Sequence, residues 1–77
     1  RPRLSAEEAR RRLNPALEVT RVQLALIPDQ AGTGEVLTYE FQGQTGEDIY
    51  LVYINAETGA EEQILQLIVT DGGTFAL

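Results

Sequence analysis

The stretch "YLVYINAETGAEEQI", residues 50–64, decides the fold. Its first half alternates, with Tyr50, Val52 and Ile54 on one side, and β-branched and aromatic residues at a period of two are typical of a strand. The alternation breaks at Asn-Ala-Glu-Thr-Gly, and acidic and amide residues follow. The break is either a turn between two strands or an acidic site.

Alternating runs also lie before and after this stretch. Residues 17–28 read "LEVTRVQLALIP" and residues 34–43 read "GEVLTYEFQG", with glycine-containing segments of turn composition between the runs. Residues 61–77 form a predicted hairpin closed by Asp71-Gly72-Gly73. For residues 61–69 a helix stays open as an alternative, because a capping-box pattern precedes them.

The N-terminal residues carry the signature of a helix start. Ser5 and Glu8 match a capping box, in which each side chain bonds the backbone N–H of the other residue. The predicted helix ends at Asn14-Pro15, because the residue before proline is pushed out of the α region. Its apolar face consists of Ala6, Ala9 and Leu13. The predicted fold is therefore α+β, with one N-terminal helix packed on one face of a four- to five-stranded antiparallel sheet.

Length and charge limit the possible functions. The 77 residues are enough for one domain. Residues 1–21 carry six Arg and three Glu, a sum of +3, and residues 22–77 carry nine acids and no base, a sum of −9, which together give the net −6. An acidic body repels phosphate backbones, so nucleic acid is a poor candidate partner. No apolar run approaches the roughly 18 residues that span a bilayer, so no membrane insertion is predicted for this segment, and the start at Arg1-Pro2-Arg3 indicates a piece of a longer protein.

The side chains that most often act as general bases and nucleophiles are missing. The chain contains no His, Cys or Lys. The acidic pairs Glu47-Asp48 and Glu61-Glu62 are adjacent in sequence, so in a strand the two members point to opposite faces. That geometry suits neither a pair of catalytic carboxylates nor a metal cage. We therefore predict no catalytic residue, no cofactor and no metal ligand, and interpret the acids as solvated charges at strand ends.

Two surfaces are candidate interfaces. The first is the side of the third strand that carries Ile49, Leu51 and Tyr53, because a single helix leaves one face of the sheet without cover. The helix is expected to shield the other face, namely Leu24, Leu26, Tyr39, Phe41, Val52 and Ile54. Contact with a partner and plain surface hydrophobicity both stay open for the uncovered face. The second candidate is the run Arg10, Arg11 and Arg12, which either meets an acidic partner or phosphate or keeps an exposed helix face soluble.

The opening stretch also carries a family pattern. The spacing Tyr50-x-Val52-x-Ile54-x-Ala56-x-Thr58-Gly59 resembles the strand-and-turn signature of PepSY domains, whose turn motif would be Asn55, Ala56, Thr58 and Gly59. Residues 37–41 resemble the preceding strand of that family and residues 5–9 its opening helix. Residues 53–62 and 68–74 are similar to the C-terminal PepSY domain of YpeB-type spore-germination proteins. The resemblance covers nearly the whole chain.

The resemblance implies a cystatin-like PepSY fold, with residues 1–77 as a single domain in a C-terminal fragment of a longer extracytoplasmic protein. It implies a non-catalytic interaction and regulatory module, on the outer side of the inner spore membrane or in the cell envelope, in a protein that accompanies and restrains a cortex-lytic enzyme. The implied partners are a cortex-lytic hydrolase, a protease or neighbouring domains of the same chain. The alternative is a prodomain segment that inhibits a protease or assists its folding. The chain departs from YpeB-type proteins in containing one PepSY copy, whereas they carry several.

The residues of the break favour the turn over the acidic site. Gly59 can adopt a positive φ that other residues resist. Asn55 and Thr58 have side chains that hydrogen-bond the backbone of turns. The acidic site is the lesser alternative.

Overall fold

The computed structural model describes residues 2–77, so Arg1 of the basic N-terminus lies outside the described residues. The elements are α1 (Ala6–Arg10), β1 (Glu18–Pro28), β2 (Glu35–Thr45), β3 (Asp48–Asn55), β4 (Glu61–Thr70) and β5 (Gly73–Ala76). The strands form one sheet in the order β1-β2-β3-β4-β5, and each pairs antiparallel with the next. The α+β fold with five antiparallel strands agrees with the prediction, and residues 61–69 form a strand.

Helix α1 is shorter than predicted. The capping box is present, with Ser5 Oγ accepting from Glu8 N (3.1 Å) and Glu8 Oε1 accepting from Ser5 N (2.9 Å). The helix ends at Arg10 rather than at Asn14-Pro15. Backbone bonds from Arg12 N to Ala9 O and from Leu13 N to Arg10 O, each 3.0 Å, then tighten the chain into turns of 3₁₀ type.

The core lies between α1, the segment that follows it, and the middle of the sheet. Ala9 of α1 is fully buried in a cluster with the sheet residues Tyr39, Phe41, Val52, Ile54 and Ala56. Ala6, Leu13 and Leu17 pack against this cluster. The Tyr39 hydroxyl donates to the Leu4 carbonyl oxygen (2.8 Å), which fastens the N-terminal segment to β2. The buried side chains of β2 and β3 thus include four of the six residues expected under the helix.

The other two residues expected under the helix, Leu24 and Leu26, are exposed. Their side chains retain 50% and 61% of their accessible surface. Both lie on β1, the edge strand. The five residues of α1 span only about 7.5 Å, at about 1.5 Å per residue, so the helix is too short to cover the whole face. The prediction that these two side chains are shielded was wrong for that reason.

The face opposite the helix is less open than predicted. Tyr53 is only 8% exposed, whereas Ile49 and Leu51 are half-buried. Tyr53 lies on the central strand between Glu40 of β2 and Gln63 of β4, and directly opposed side chains of neighbouring strands cover one another. Neighbouring strands therefore bury Tyr53 without any help from a helix.

Candidate interaction surfaces

The break at residues 55–60 is a closed turn. Asn55 Oδ1 accepts from Glu57 N (2.8 Å) and Thr58 N (3.0 Å), and Asn55 O accepts from Gly59 N (2.9 Å). Thr58 Oγ1 accepts from Ala60 N (3.2 Å). Gly59 has a φ of +80°. The polar atoms of the motif are used within the turn, so the motif acts as a structural element.

The turn is also where the N-terminal segment meets the sheet. Ala56 N donates to Leu37 O (2.9 Å), and Ala56 O accepts from Leu4 N (2.8 Å). The guanidinium of Arg12 lies over Gly59, which is buried, and a Cβ built on this glycine would stand 2.9 Å from Arg12 Cζ. The motif therefore joins three parts of the chain.

The acidic pairs do not converge on one site. Glu62 Oε2 accepts from Asn55 Nδ2 (3.0 Å), and Asp48 Oδ1 accepts from Gln66 Nε2 (3.5 Å). Within residues 2–77 no group of three or more acidic side chains is arranged to hold a metal ion. These carboxylates thus have structural partners near the ends of β3 and β4.

Among residues 2–77, two side chains have clearly shifted pKa values, and both shifts have structural causes. Hydrogen bonds from the backbone and side chain of Ser5 lower the pKa of Glu8. Burial, together with the hydrogen bond to Glu40, raises the pKa of Tyr53 to about 12. Neither shift brings a group near neutrality, where a general acid or base operates best.

The face opposite the helix carries a polar network beside its apolar side chains. The Tyr53 hydroxyl donates to Glu40 Oε2 (2.5 Å), and Glu40 Oε1 accepts from Gln23 Nε2 (2.7 Å). Ile49 and Leu51 lie along the same strand beyond this network, where they pair with Leu67 and Leu65 of β4. Of the three residues predicted to form this interface, Ile49 and Leu51 are partly accessible and Tyr53 is buried.

All three residues of the predicted arginine surface are exposed, but they have different neighbours. Arg10 and Arg11 lie beside α1, where Arg11 Nη2 forms an ion pair with Glu7 Oε1 (3.7 Å). Such exposed pairs contribute little to stability. Arg12 instead lies against Gly59. A shallow depression of about 530 Å³ separates the helix from β1, and it is lined by Ala6, Glu7, Arg10, Arg11, Val22 and Phe41.

β1 carries an exposed apolar strip that the sequence did not predict. It consists of Val22, Leu24 and Leu26, hereafter the β1 strip, on the same face of the sheet as the helix. Alternation along β1 marked these residues as one face, but it did not reveal that the helix leaves them uncovered. Ile64 of β4 and Phe75 of β5 are also exposed, on the helix face of the sheet but at its other edge.

The five-stranded meander, the capped N-terminal helix and the closed Asn-x-x-Thr-Gly turn together define a PepSY domain. The chain belongs to this family, because the family described as "Peptidase propeptide and YPEB domain" matches residues 3–64. Among curated proteins it is similar to sporulation protein YpeB of Halalkalibacterium halodurans, with 52% identity over 63 residues, which are 82% of this chain and 14% of the relative. Sporulation protein YpeB of Bacillus subtilis is 39% identical over 67 residues, which are 87% of this chain and 15% of the relative.

A solved structure gives the same result for the fold. The Bacillus megaterium YpeB C-terminal domain superposes with a TM-score of 0.84 and 40% sequence identity, over 88% of this chain and 30% of the solved chain. The chain thus spans about a seventh of the length of the curated relatives it matches. Within the described residues, no helix has the length and apolar character needed to cross a membrane.

Proposed function

We propose that this chain is a non-catalytic interaction and regulatory module of a spore-germination protein of the YpeB type. The observation that carries the proposal is the likeness to three curated sporulation proteins YpeB at 39% to 52% identity. The likeness to the solved YpeB C-terminal domain, at 40% identity and a TM-score of 0.84, supports it. In this proposal the domain works outside the cytoplasm, at the outer side of the inner spore membrane, and its protein partner is a cortex-lytic hydrolase that it restrains.

The side-chain chemistry supports a non-catalytic role. The sequence supplies no His, Cys or Lys, and its single serine, Ser5, caps α1. Glu40 and Glu62 accept hydrogen bonds from Tyr53 and Asn55. The depression between the helix and β1 is a shallow cleft, and its acid, Glu7, is paired with Arg11.

The exposed surfaces support an interaction role. The domain presents the β1 strip, the exposed side chains of Ile64 and Phe75, and the half-buried Ile49 and Leu51. Contiguous exposed apolar surface usually marks an interface with another protein. In the proposal these surfaces contact the hydrolase or neighbouring domains of the parent protein.

The test is a binding and turnover assay with the cortex-lytic hydrolase of the same spore former. The purified chain is expected to bind the hydrolase, to slow its digestion of spore peptidoglycan, and to release no fragments when incubated with peptidoglycan alone. A second test uses a chimera in which this chain replaces the corresponding segment of Bacillus subtilis YpeB. The loss of optical density during germination shows whether the chimera is functional. Absence of binding together with failure of the chimera to restore germination would overturn the proposal, and so would peptidoglycan turnover by the chain alone.

A second function is favoured by the description of the family as a peptidase propeptide domain. In that case the chain is a prodomain segment that inhibits a metalloprotease or assists its folding. The chain should then slow peptide hydrolysis by a thermolysin-like protease at micromolar concentration. Inhibition of the protease without binding to the hydrolase would favour this second function over the first.

A further inference from the structure

The outer edge of β1 presents backbone groups that point away from the sheet. Within the part of the chain that the structure describes, β1 pairs with β2 alone. Asp29 N donates to Gly34 O (3.0 Å) and Thr38 Oγ1 donates to Ala25 O (2.9 Å), so residues at odd positions near this end of β1 direct their backbone groups toward β2. In an antiparallel strand, successive residues direct their backbone groups to alternate edges. The N–H and C=O groups of the even-numbered residues therefore face outward.

The outward-facing residues are those of the β1 strip. At Val22, Leu24 and Leu26, backbone groups that point away from β2 thus coincide with exposed apolar side chains, at 42%, 50% and 61% exposure. Proteins usually protect such an edge with charges, proline or bulges. The bulge lies at one end of the strand, between Val19 and Arg21, and proline at the other, so the stretch between them lacks these devices.

The charge beside this edge is positive. Arg10 and Arg11 line the depression between α1 and β1, whose lining also includes Val22 and Phe41. Arg21 precedes the strip but lies on the opposite face of the sheet, where it pairs with Gln42 of β2. Glu7 is the acid in this depression, and it is paired with Arg11. Electrostatic complementarity favours a partner that brings carboxylates to this side.

A second copy of the chain fits this edge less well. Pairing of two β1 strands about a two-fold axis would place both helices on the same side of the joined sheet. Each copy also carries a net charge of −6. Like charges brought together across an interface disfavour the pairing.

We propose that the β1 edge adds a strand from an extended segment of another protein, in which apolar residues alternate and a carboxylate lies near Arg10 and Arg11. Backbone hydrogen bonds to Val22, Leu24 and Leu26 supply pairing, and the apolar side chains of the added strand cover the β1 strip, as in other cases of strand addition. The inference rests on one part of the proposed function, namely that the domain binds another protein.

The first experiment titrates the ¹⁵N-labelled chain with the synthetic peptide acetyl-EVTVTLTE-amide. Shift changes are expected at residues 20–28 and at Arg10 and Arg11, and replacement of both peptide glutamates by lysine should weaken binding about tenfold. Shift changes confined to β4, β5 or Ile49 and Leu51 would overturn the proposal. No binding at millimolar peptide would also overturn it, and so would a dimer formed through β1 in sedimentation.

The second experiment compares variants of matched exposure. Leu24→Pro removes an outward-facing N–H, which proline can replace on an edge strand, and Leu24→Thr removes apolar surface only. Both should weaken peptide binding about tenfold or more, whereas Ile64→Thr, at a site of nearly equal exposure on β4, should leave it unchanged. If Leu24→Pro fails to fold, Leu24→Thr and a peptide N-methylated at alternate residues test the same point. Equal binding by Leu24→Thr and Ile64→Thr would contradict strand addition.

The same variants separate this inference from the proposed function. If the chain binds the hydrolase and Leu24→Pro binds it equally well, the hydrolase uses another surface, which overturns strand addition at β1 as its mode of binding and leaves the function standing. If the peptide binds at β1 and the hydrolase does not bind, the edge proposal stands and the proposed function fails.

Discussion

The guanidinium group of Arg12 lies against the backbone of Gly59, with Arg12 Cζ 2.9 Å and Nε 3.1 Å from where a Cβ on that glycine would stand. Arg12 belongs to the turn that follows α1, and Gly59 ends the family motif between β3 and β4. A side chain at position 59 would need both a positive φ and a displaced arginine. The contact therefore links the N-terminal segment to the turn that defines the family.

We expect Gly59→Ala to lower the free energy of unfolding by about 1 kcal/mol or more, since alanine resists a φ of +80°. Gly46→Ala is the matched control, because Gly46 has a φ of +62° and open space where its Cβ would lie. Urea denaturation should show a larger loss at Gly59, and the excess should vanish in an Arg12→Ala background. Equal losses at both glycines would mean that the arginine moves aside without cost.

Leu17 occupies the space above Gly43, where an added Cβ would stand 2.8 Å from both Cδ atoms of the leucine. Gly43→Ala should therefore destabilise the domain by about 1–3 kcal/mol through overpacking. In a Leu17→Ala background the same substitution should cost much less, because the obstructing side chain is gone. The urea midpoints of the four proteins of this cycle provide the measurement, and additive effects would refute steric contact as the cause.

Ser5→Ala should cost about 0.5–2 kcal/mol, since the Glu8 backbone N–H loses its acceptor. Ser5→Asp retains a capping oxygen and should stay close to the parent. Thermal unfolding followed by circular dichroism compares the three proteins. Parent-like stability of Ser5→Ala would show that the Ser5 cap contributes nothing to the folding equilibrium.

Stability should decline in acid partly through Glu8. Hydrogen bonds from Ser5 lower its pKa in the folded state below the ordinary value of 4.5. A depressed pKa means that this contribution is present above the unfolded pKa and is lost as the pH falls through the folded value. Glu8→Gln keeps an acceptor for Ser5 N–H, so the variant should show a smaller drop in urea midpoint between pH about 6 and about 3. Identical pH profiles for both proteins would exclude this contribution.

Tyr53 should contribute to stability up to alkaline pH. Its pKa is raised to about 12, by burial and by the hydrogen bond to Glu40. A raised pKa means that the contribution is complete below the unfolded pKa of about 10 and is lost as the pH rises through the folded value. Tyr53→Phe should lower stability at neutral pH by about 1 kcal/mol and remove the last phenolate step from an absorbance titration at 295 nm. Tyr50→Phe is the control and should keep the last step. If the last step is lost in Tyr50→Phe and kept in Tyr53→Phe, the raised pKa does not belong to Tyr53.

Local patterns were enough to predict most elements of this protein. The period of two in residues 17–28, 34–43 and 48–55 reports which side chains share a strand face, and that depends only on backbone geometry. The N-cap of α1 at Ser5 and the turn at Gly59 depend on hydrogen bonds and φ values within a few residues. These features are encoded where they occur, so the sequence by itself determined them.

The tertiary structure decided which faces are covered and which residues from distant parts of the chain touch. The short reach of α1 exposes Leu24 and Leu26, and the central position of β3 buries Tyr53, because cover depends on distances between elements. The contacts of Arg12 with Gly59 and of Leu17 with Gly43 join residues far apart in sequence. The outward direction of the backbone groups in the β1 strip follows from how β1 hydrogen-bonds β2, a contact between two separate strands. Burial and long-range contacts depend on how the elements pack together, and local sequence patterns do not specify that packing.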